Sequence, residues 1–305
     1  MTERTVAGSG VAVGMVLAAG RGRRMRPLSD VLPKPALPVL DRPLVRFALE
    51  QAARAGAPRL VVNTWHLAER MARAVREAAH GLPPIALSSE PELLGGAGGL
   101  ALARDRGLLG TEGPVIVVNG DGVLDLDPAP LVAAHRERSD DVTLALLPHP
   151  GSDRWSRVLL DETGRITAIL RGEERTPDRE AFLYPGVMIV SRRALNALPS
   201  GPGETAERLW WPARDAGRLG GVIVRGTWRE VGTPEDYLKA VIERLAGRCW
   251  LHASARVDPT ATVLSAMIGR DCAVGARTTV ERSAIAEGVT VEPGAVVVDS
   301  VILGP

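Results

Sequence analysis

Apolar residues recur at nearly constant intervals along the C-terminal part of the chain. Their spacings are 6, 5, 6, 6, 5, 6, 6 and 5 residues. Three steps make one coil of about seventeen residues, with three short strands whose apolar side chains point to a common axis. This hexapeptide-type pattern predicts a parallel β-helix over residues 248–305, and three coils are near the minimum for stability. The pattern consists of Val257, Val263, Ile268, Val274, Val280, Ile285, Val291, Val297 and Ile302.

Two uses of such a repeat can be compared. An acyltransferase built on it would need more coils and a catalytic histidine within them, and the only histidine available is His252, at the rim. The alternative is a prism that docks or oligomerises, because its open end must be buried or stacked on a neighbour. We therefore predict a homo-oligomer formed through the β-helix.

The preceding residues, 1–247, alternate strand-like and helical patterns from Val11 to about Leu146. This alternation predicts an α/β domain with a mostly parallel sheet covered on both faces and ligands at the carboxyl ends of its strands. A hairpin is then expected around Asp161–Gly164, followed by further strands and a closing helix. The predicted strands are 11–16, 59–62, 85–88, 115–118, 142–146, 186–190 and 221–225. The predicted helices are 44–55, 67–79, 97–106, 128–138 and 234–246.

The first predicted strand leads into a loop rich in glycine and arginine. It contains Gly20-x-Gly22, four arginines within six residues and then Pro33-Lys34-Pro35. A dinucleotide fingerprint would need a third glycine where Met25 stands, and a phosphate loop of the NTPase type would need Gly-Lys-Ser/Thr. A solvated basic loop would not explain why prolines flank the lysine. A nest of backbone N–H groups beside a lysine at fixed reach predicts a site for several phosphates.

Composition and charge limit the other possibilities. The net charge is +1, so binding of nucleic acid or of a membrane surface through bulk charge is not expected. Cys249 and Cys272 do not form a metal pair or a disulfide framework. No apolar run reaches transmembrane length, and residues 1–10 lack the core of a signal peptide. A cytoplasmic protein is therefore expected.

The signature Gly20-x-Gly22-x-Arg24, with Arg26-Pro-Leu-Ser29 and Pro33-Lys34-Pro35, resembles that of sugar-1-phosphate nucleotidyltransferases, the NDP-sugar pyrophosphorylases. It is most similar to mannose- or heptose-1-phosphate guanylyltransferases and to N-acetylmuramate-1-phosphate uridylyltransferases. The resemblance implies a Rossmann-like domain followed by a short left-handed β-helix. It also implies that an NTP and a sugar 1-phosphate give an NDP-sugar and pyrophosphate. GTP with a mannose-like phosphate is our first choice, and UTP or dTTP with a hexose phosphate is the second.

The reaction joins two anions, and the phosphate nucleophile is already largely dianionic at neutral pH. A general base is therefore not needed, whereas cations, oriented N–H groups and a metal are. The resemblance implies that Arg24 grips the β and γ phosphates and that Lys34 lies near the α-phosphorus. It implies Asp121 as a Mg²⁺ ligand, with Glu230 as the second, although Glu230 stands where the family has aspartate.

The same resemblance implies the rest of the site. Ser156 stands in place of a glycine on the sugar side. Glu230 in place of aspartate and Arg171-Gly172 in place of Glu-Lys-Pro keep a catalytically weak, regulatory homologue open as an alternative. His66 is expected to pack at a helix start. The implied nucleotide contacts are Leu17, Ala19, Gly20, Gly22, Glu90, Gly95 and Gly96, and the implied sugar-phosphate contacts are Asn119, Arg171 and Gly186.

Overall fold

The computed structural model describes residues 10–171 and 180–304. Up to residue 247 its strands are β1 (Val13–Leu17), β2 (Pro38–Val39), β3 (Arg42–Pro43), β4 (Leu60–Thr64), β5 (Ile85–Ser89), β6 (Val115–Asn119), β7 (Gly122–Leu126), β8 (Val142–Pro148), β9 (Arg157–Leu160), β10 (Ile166–Leu170), β11 (Phe182–Leu183), β12 (Val187–Val190), β13 (Leu219–Ile223) and β14 (Gly226–Glu230). The helices are α1 (Leu28–Val31), α2 (Val45–Arg54), α3 (Ala68–Ala78), α4 (Gly95–Asp105), α5 (Ala129–Arg138), α6 (Arg192–Ala197), α7 (Trp211–Asp215) and α8 (Pro234–Leu245). Two 3₁₀ turns (Arg23–Met25 and Lys34–Ala36) and a π turn (Ala206–Trp210) complete the domain.

The main sheet has the order β10-β9-β11-β8-β12-β6-β1-β4-β5, with β13 also paired to β8. Strands β5, β4, β1 and β6 are parallel, whereas β12 runs antiparallel to both β6 and β8. Successive residues of each strand face opposite sides. Val16 and Val62 therefore pack on the face that carries α2 and α3, and Met15 and Val61 pack on the face that carries α4. The predicted α/β class, with a mostly parallel sheet covered on both faces, is confirmed.

Most predicted elements are present, with ends shifted by one or two residues. Two differences concern the site. Helix α4 begins at Gly95, two residues before the predicted helix start at residue 97, so the glycine-rich segment forms the first turns of a helix. Strands β7 and β14, not predicted, form a separate antiparallel pair. In this pair Glu230 is opposite Gly122. Because Gly122 directly follows Asp121, the pairing places Glu230 near Asp121.

The C-terminal residues form a parallel β-helix. Its strands pair in registers such as Trp250↔Met267 and Thr262↔Thr279, which confirms the predicted coil of about seventeen residues. Apolar residues of the pattern make up the core. The strands are β15 (Trp250–Leu251), β16 (Arg256–Val257), β17 (Thr262–Leu264), β18 (Met267–Ile268), β19 (Ala273–Val274), β20 (Thr279–Glu281), β21 (Ala284–Ile285), β22 (Thr290–Val291), β23 (Val296–Val298) and β24 (Val301–Ile302).

One hydrophobic cluster spans both parts of the chain. The loop rich in glycine and arginine that follows β1, residues 18–37, is called the basic loop below. The cluster combines Met25 and Leu37 of this loop with Tyr237 of α8 and Met267 of the β-helix, and all four side chains are fully buried. The Leu40 N–H lies 3.3 Å from Met267 Sδ. The predicted domain boundary at 247/248 falls in the connection between α8 and β15. The basic loop is therefore supported from below by the C-terminal coils.

Candidate active site

A cavity of about 520 Å³ opens at the carboxyl ends of the parallel strands, as the α/β pattern predicts. It brings together every residue that we assigned to the nucleotide side and to catalysis. Eleven predicted positions line it: Leu17, Ala19, Gly20, Gly22, Arg24, Lys34, Glu90, Gly95, Gly96, Asn119 and Asp121.

The basic loop is held in shape by its own backbone. Gly22 has φ +65°, and its carbonyl accepts hydrogen bonds from the Met25 N–H (2.8 Å) and the Ser29 hydroxyl (2.9 Å). A side chain at Gly22 would also approach Ser29 Cβ to 3.2 Å. The left-handed conformation therefore favours glycine here, and the close contact with Ser29 adds to that preference. The turn leaves the Arg24 side chain 67% exposed at the mouth of the cavity.

Lys34 lines the same cavity and packs next to Gly22, since a Cβ on Gly22 would lie 3.4 Å from Lys34 Cβ. Pro33 and Pro35 flank it, and its side chain is only 10% exposed. Lys34 Nζ lies 2.7 Å from Asp121 Oδ2, and Asp121 follows the end of β6. The lysine predicted to meet the α-phosphorus and the carboxylate predicted to hold the metal are thus in direct contact.

A series of buried hydrogen bonds, which the sequence analysis did not predict, connects the ends of three strands. The Ala18 N–H donates to Asn63 Oδ1 (2.6 Å), and Asn63 Nδ2 donates to Glu90 Oε1 (2.6 Å). The other Glu90 oxygen accepts from the Leu94 N–H (3.0 Å). Burial raises the pKa of the Glu90 carboxyl. Glu90 thus lines the cavity with both oxygens engaged, and it fixes the start of α4 against the strand that carries the basic loop.

The four glycines of α4 all lie close to other parts of the protein, and two of them also line the cavity. Gly95 and Gly96 line the cavity, as predicted for the nucleotide side. Gly98 and Gly99 are buried against protein. A Cβ on Gly98 would lie 2.7 Å from the Gly201 carbonyl, and one on Gly99 would lie 2.6 Å from Glu90 Oε1. A Cβ on Gly95 would lie 2.7 Å from the Gly203 carbonyl, and one on Gly96 would collide with the Thr205 hydroxyl. The whole glycine run therefore serves close packing, which leaves the same sequence signal as close approach to a ligand.

A second cavity of about 300 Å³ adjoins the first, and the two share Asn119 and Asp121. It contains the other predicted sugar-side residues, Arg171 and Gly186, as well as Glu230. Gly186 has φ +86°, and its carbonyl accepts a hydrogen bond from the Asn119 N–H at 2.8 Å. Gly186 lies here because β12, which follows it, pairs with β6. Ser156 also lines this cavity. Gly172, Glu173 and Glu174 lie outside the described residues.

Glu230 is held by three donors. Its Oε1 accepts from Arg24 (3.2 Å), and its Oε2 accepts from Arg154 (3.1 Å) and from the Trp155 indole N–H (2.9 Å). Arg154 also makes a bidentate pair with Asp236 (3.0 and 2.5 Å), which lowers the pKa of Asp236 to about 2. Arg154 carried no sequence signal, because it comes close to Glu230 only when the fold places residues 154 and 230 side by side.

His66, expected to pack at a helix start, places its Nε2 at 2.7 Å from the Ser29 carbonyl, immediately before α3. It therefore supports the far end of the basic loop and does not line either cavity. Both cysteines are free.

The carboxylates available for a metal are few. In the described ranges no group of three or more His, Cys, Asp and Glu side chains could hold an ion. Mg²⁺, however, commonly takes one or two carboxylates and completes its shell with water and phosphate oxygens. Asp121 fits this role, because it is half exposed and faces both cavities. Glu230 fits only if the ion displaces at least one of its present donors.

Residues 13–246 match the family model described as nucleotidyl transferase. The chain belongs to this family. It is 30% identical to a mannose-1-phosphate guanylyltransferase of Mycobacterium tuberculosis, over 93% of this chain and 82% of that protein. It is 26% identical to a UTP–glucose-1-phosphate uridylyltransferase of Synechocystis, over 95% and 87% of the two chains. The sugar-1-phosphate nucleotidyltransferase predicted from the sequence is thereby confirmed at the level of family and reaction class.

The fold also matches a solved structure. The crystal structure of HddC from Yersinia pseudotuberculosis superposes with a TM-score of 0.64 at 19% identity, covering 77% of this chain and all of that one. At this identity the match supports the fold alone. Among the described helices, none is both long and apolar enough to cross a bilayer.

Proposed function

We propose that the chain transfers a nucleotidyl group from an NTP to a sugar 1-phosphate and releases pyrophosphate. The observation that supports this proposal is that the two cavities meet at Asn119 and Asp121, and that Lys34 is paired with Asp121. One cavity offers a phosphate-binding turn, and the other offers a separate compartment for the acceptor. The attacking and attacked phosphates would therefore meet beside a positioned cation.

In this proposal Arg24 binds the β and γ phosphates and stabilises the leaving pyrophosphate. Lys34 neutralises charge at the α-phosphorus, where both substrates bring negative oxygens together. The backbone of Gly20 and Gly22 presents N–H groups to the same phosphates. No side chain needs to remove a proton, because the acceptor phosphate is ionised at neutral pH.

We further propose Mg²⁺ as the metal, held by Asp121 and, after release from Arg24, by Glu230. The ion would supply charge neutralisation between the two phosphates. In the structure Asp121 is paired with Lys34, and Glu230 is paired with Arg24. Each cation proposed for phosphate binding is thus paired with a carboxylate proposed for the metal, so arrival of a metal–NTP complex would exchange both pairs at once.

For the substrates, we propose GTP with mannose 1-phosphate or a similar sugar phosphate, because the guanylyltransferase relative is 30% identical. The alternative is UTP or dTTP with a hexose 1-phosphate, which the uridylyltransferase relative supports. We also propose a cytoplasmic homo-oligomer that associates through the β-helix.

The second candidate is a catalytically weak homologue that binds nucleotide sugar and regulates a partner. The three donors on Glu230 favour it, because they oppose metal binding. Pyrophosphate release from a matrix of four NTPs and several sugar 1-phosphates, with Mg²⁺, separates the two. Turnover with at least one pair is expected. Absence of turnover with every pair, together with tight NDP-sugar binding, would favour the regulatory homologue.

A chemical test of the phosphate site is also available. Lys34 and Lys239 are the only lysines in the chain. Pyridoxal 5′-phosphate forms a Schiff base with lysines near phosphate sites, and borohydride fixes the adduct. We expect NTP to protect Lys34 from labelling and to leave Lys239 unprotected, as measured by peptide mass spectrometry. Equal labelling of Lys34 with and without NTP would contradict the proposed position of the phosphates.

A further inference from the structure

The basic loop carries four arginines within six residues, and the structure gives them different surroundings. Arg21 lies over the ring of Trp65, with its guanidinium carbon 5.1 Å from the ring centroid. Arg26 forms an ion pair at 3.0 Å with the aspartate four residues later. Neither of these two arginines lines the first or the second cavity. The arginines that line the first cavity are Arg23 and Arg24.

The backbone that carries Arg23 and Arg24 is held in place by the residues around it. Both arginines belong to the 3₁₀ turn of residues 23–25, which Gly22 precedes in the left-handed conformation. Met25, the last residue of this turn, is fully buried in the cluster shared with α8 and the β-helix. Because Met25 anchors the turn from below, the two exposed arginine side chains extend along the cavity from a fixed backbone.

Most charged groups of the first cavity already have protein partners. Arg24 donates to Glu230 at 3.2 Å, and Lys34 pairs with Asp121 at 2.7 Å. Both oxygens of Glu90 accept hydrogen bonds. To bind a phosphate, Arg24 and Lys34 must each leave a carboxylate, so the loss of one charged contact offsets part of the gain from the new one.

Arg23 differs from these two cations. Within residues 10–171 and 180–304, its side chain has no ion-pair or hydrogen-bond partner. A phosphate oxygen would therefore gain a charge-assisted hydrogen bond from Arg23 without the loss of an existing pair. In the same described ranges Glu204 also lines the cavity without a partner, and its Oε1 lies 2.8 Å from the position of a Cβ on Gly95. Because a carboxylate repels phosphate, the phosphates are favoured beside Arg23 and disfavoured at the start of α4.

The partners of the other two cations connect them to the second cavity. Asp121, the partner of Lys34, lines both cavities, and Glu230, the partner of Arg24, lines the second. In the transfer proposed above, the α-phosphate lies where the cavities meet, because the acceptor phosphate attacks it there. A triphosphate that begins at this point extends away from it. Its terminal phosphate then reaches Arg23, the cation of the loop that is not paired with a residue of the second cavity.

We propose, on the basis of the nucleotidyl transfer proposed above, that Arg23 binds the γ-phosphate of the incoming NTP. Arg24 must exchange partners before it binds phosphate, whereas Arg23 adds a contact that requires no exchange. Arg23 therefore makes the site favour a nucleoside triphosphate over the diphosphate, which has no γ-phosphate. A charge-assisted hydrogen bond of this kind corresponds to about tenfold in Kd.

The test compares nucleotides that differ by one phosphate. Isothermal titration calorimetry with Mg²⁺ gives Kd for the α,β-methylene forms of GTP and GDP and for those of UTP and UDP. The base that binds more tightly is used for the comparison. Arg23→Ser should weaken binding of the triphosphate about tenfold and change that of the diphosphate by less than about twofold. Arg23→Lys keeps the charge and should retain most of the triphosphate affinity. Thermal unfolding of both variants should match that of the unchanged protein, because Arg23 is exposed.

Arg21→Ser is the matched control, because it removes the same charge from the same loop at a residue that does not line the cavity. It should leave both Kd values unchanged. Equal weakening of the triphosphate and the diphosphate in Arg23→Ser, or the same loss of triphosphate binding in Arg21→Ser, would overturn the proposal. Pyrophosphate release with oxygen-bridged NTPs and sugar 1-phosphates is measured in parallel. Its absence would refute the proposed transfer reaction, while the Kd values would still decide the role of Arg23.

Discussion

Replacement of Lys34 by methionine tests the electrostatic basis of the site. Methionine keeps an unbranched apolar stem, one heavy atom shorter than that of lysine, and removes the charge. Because Lys34 is only 10% exposed, solvent cannot substitute for that charge. Loss of one positioned charge of this kind lowers the rate by about 10²–10³, or roughly 3–4 kcal/mol of transition-state stabilisation. Folding stability should fall by about 1 kcal/mol or less, because the partner Asp121 is 49% exposed and can be hydrated.

The assay is steady-state pyrophosphate release, with thermal unfolding measured on the same samples. Lys239, the only other lysine, gives a matched control: it is exposed on α8 and pairs with Glu235 at 2.7 Å. Lys239→Met should keep the full rate. If Lys34→Met kept a kcat/KM close to that of the unchanged protein, the reasoning that places the α-phosphorus beside Lys34 would be refuted.

Three further predictions concern the second cavity and its supports. Gly186→Ala should destabilise the protein by about 1–3 kcal/mol and reduce turnover, because φ is +86° and the new Cβ would lie 2.9 Å from the Asn119 side chain; an unchanged melting temperature would contradict this. Asp236→Asn should lower stability at neutral pH by about 2 kcal/mol. The Asp236 pKa of about 2 lies below its ordinary value, so its contribution is complete above about pH 4 and is lost as the pH falls towards 2. The free energy of unfolding of the variant and of the unchanged protein, measured by denaturation from pH 7 down to 2, should therefore become equal at the acid end. A difference that stays constant over this range would exclude the ion pair between Asp236 and Arg154 as its cause. Glu230→Gln should raise the Mg²⁺ concentration needed for activity and leave the circular dichroism spectrum unchanged, and an unaltered Mg²⁺ dependence would remove Glu230 from the metal site.

Periodic patterns explain why so much of the fold could be predicted from the sequence. The β-helix repeat and the alternation of strands and helices depend on regular spacing of apolar residues, which is visible in a single chain. Strands β7 (Gly122–Leu126) and β14 (Gly226–Glu230) were missed, because they pair with each other rather than with the main sheet. Their pairing is a long-range contact, and a local pattern cannot reveal it.

The site divides in a similar way. Arg24, Lys34 and Asp121 stand in recognisable motifs, and the structure brings them to one cavity. Asn63 and Arg154 were missed, because each acts through partners far away in the sequence, at Glu90 and Glu230. An asparagine at a strand end is a weak hint of such a role, whereas an arginine in a loop of an arginine-rich chain gives none.

The hydrophobic cluster beneath the basic loop has a consequence for engineering. Met25 and Leu37 share one apolar layer with Met267, so the surface under the loop is completed by a segment more than two hundred positions later in the chain. A chimera that exchanges the final coils for those of another protein would need matching changes under the loop. Without these changes, altered packing beneath the loop would shift the positions of the Arg24 and Lys34 side chains in the cavity.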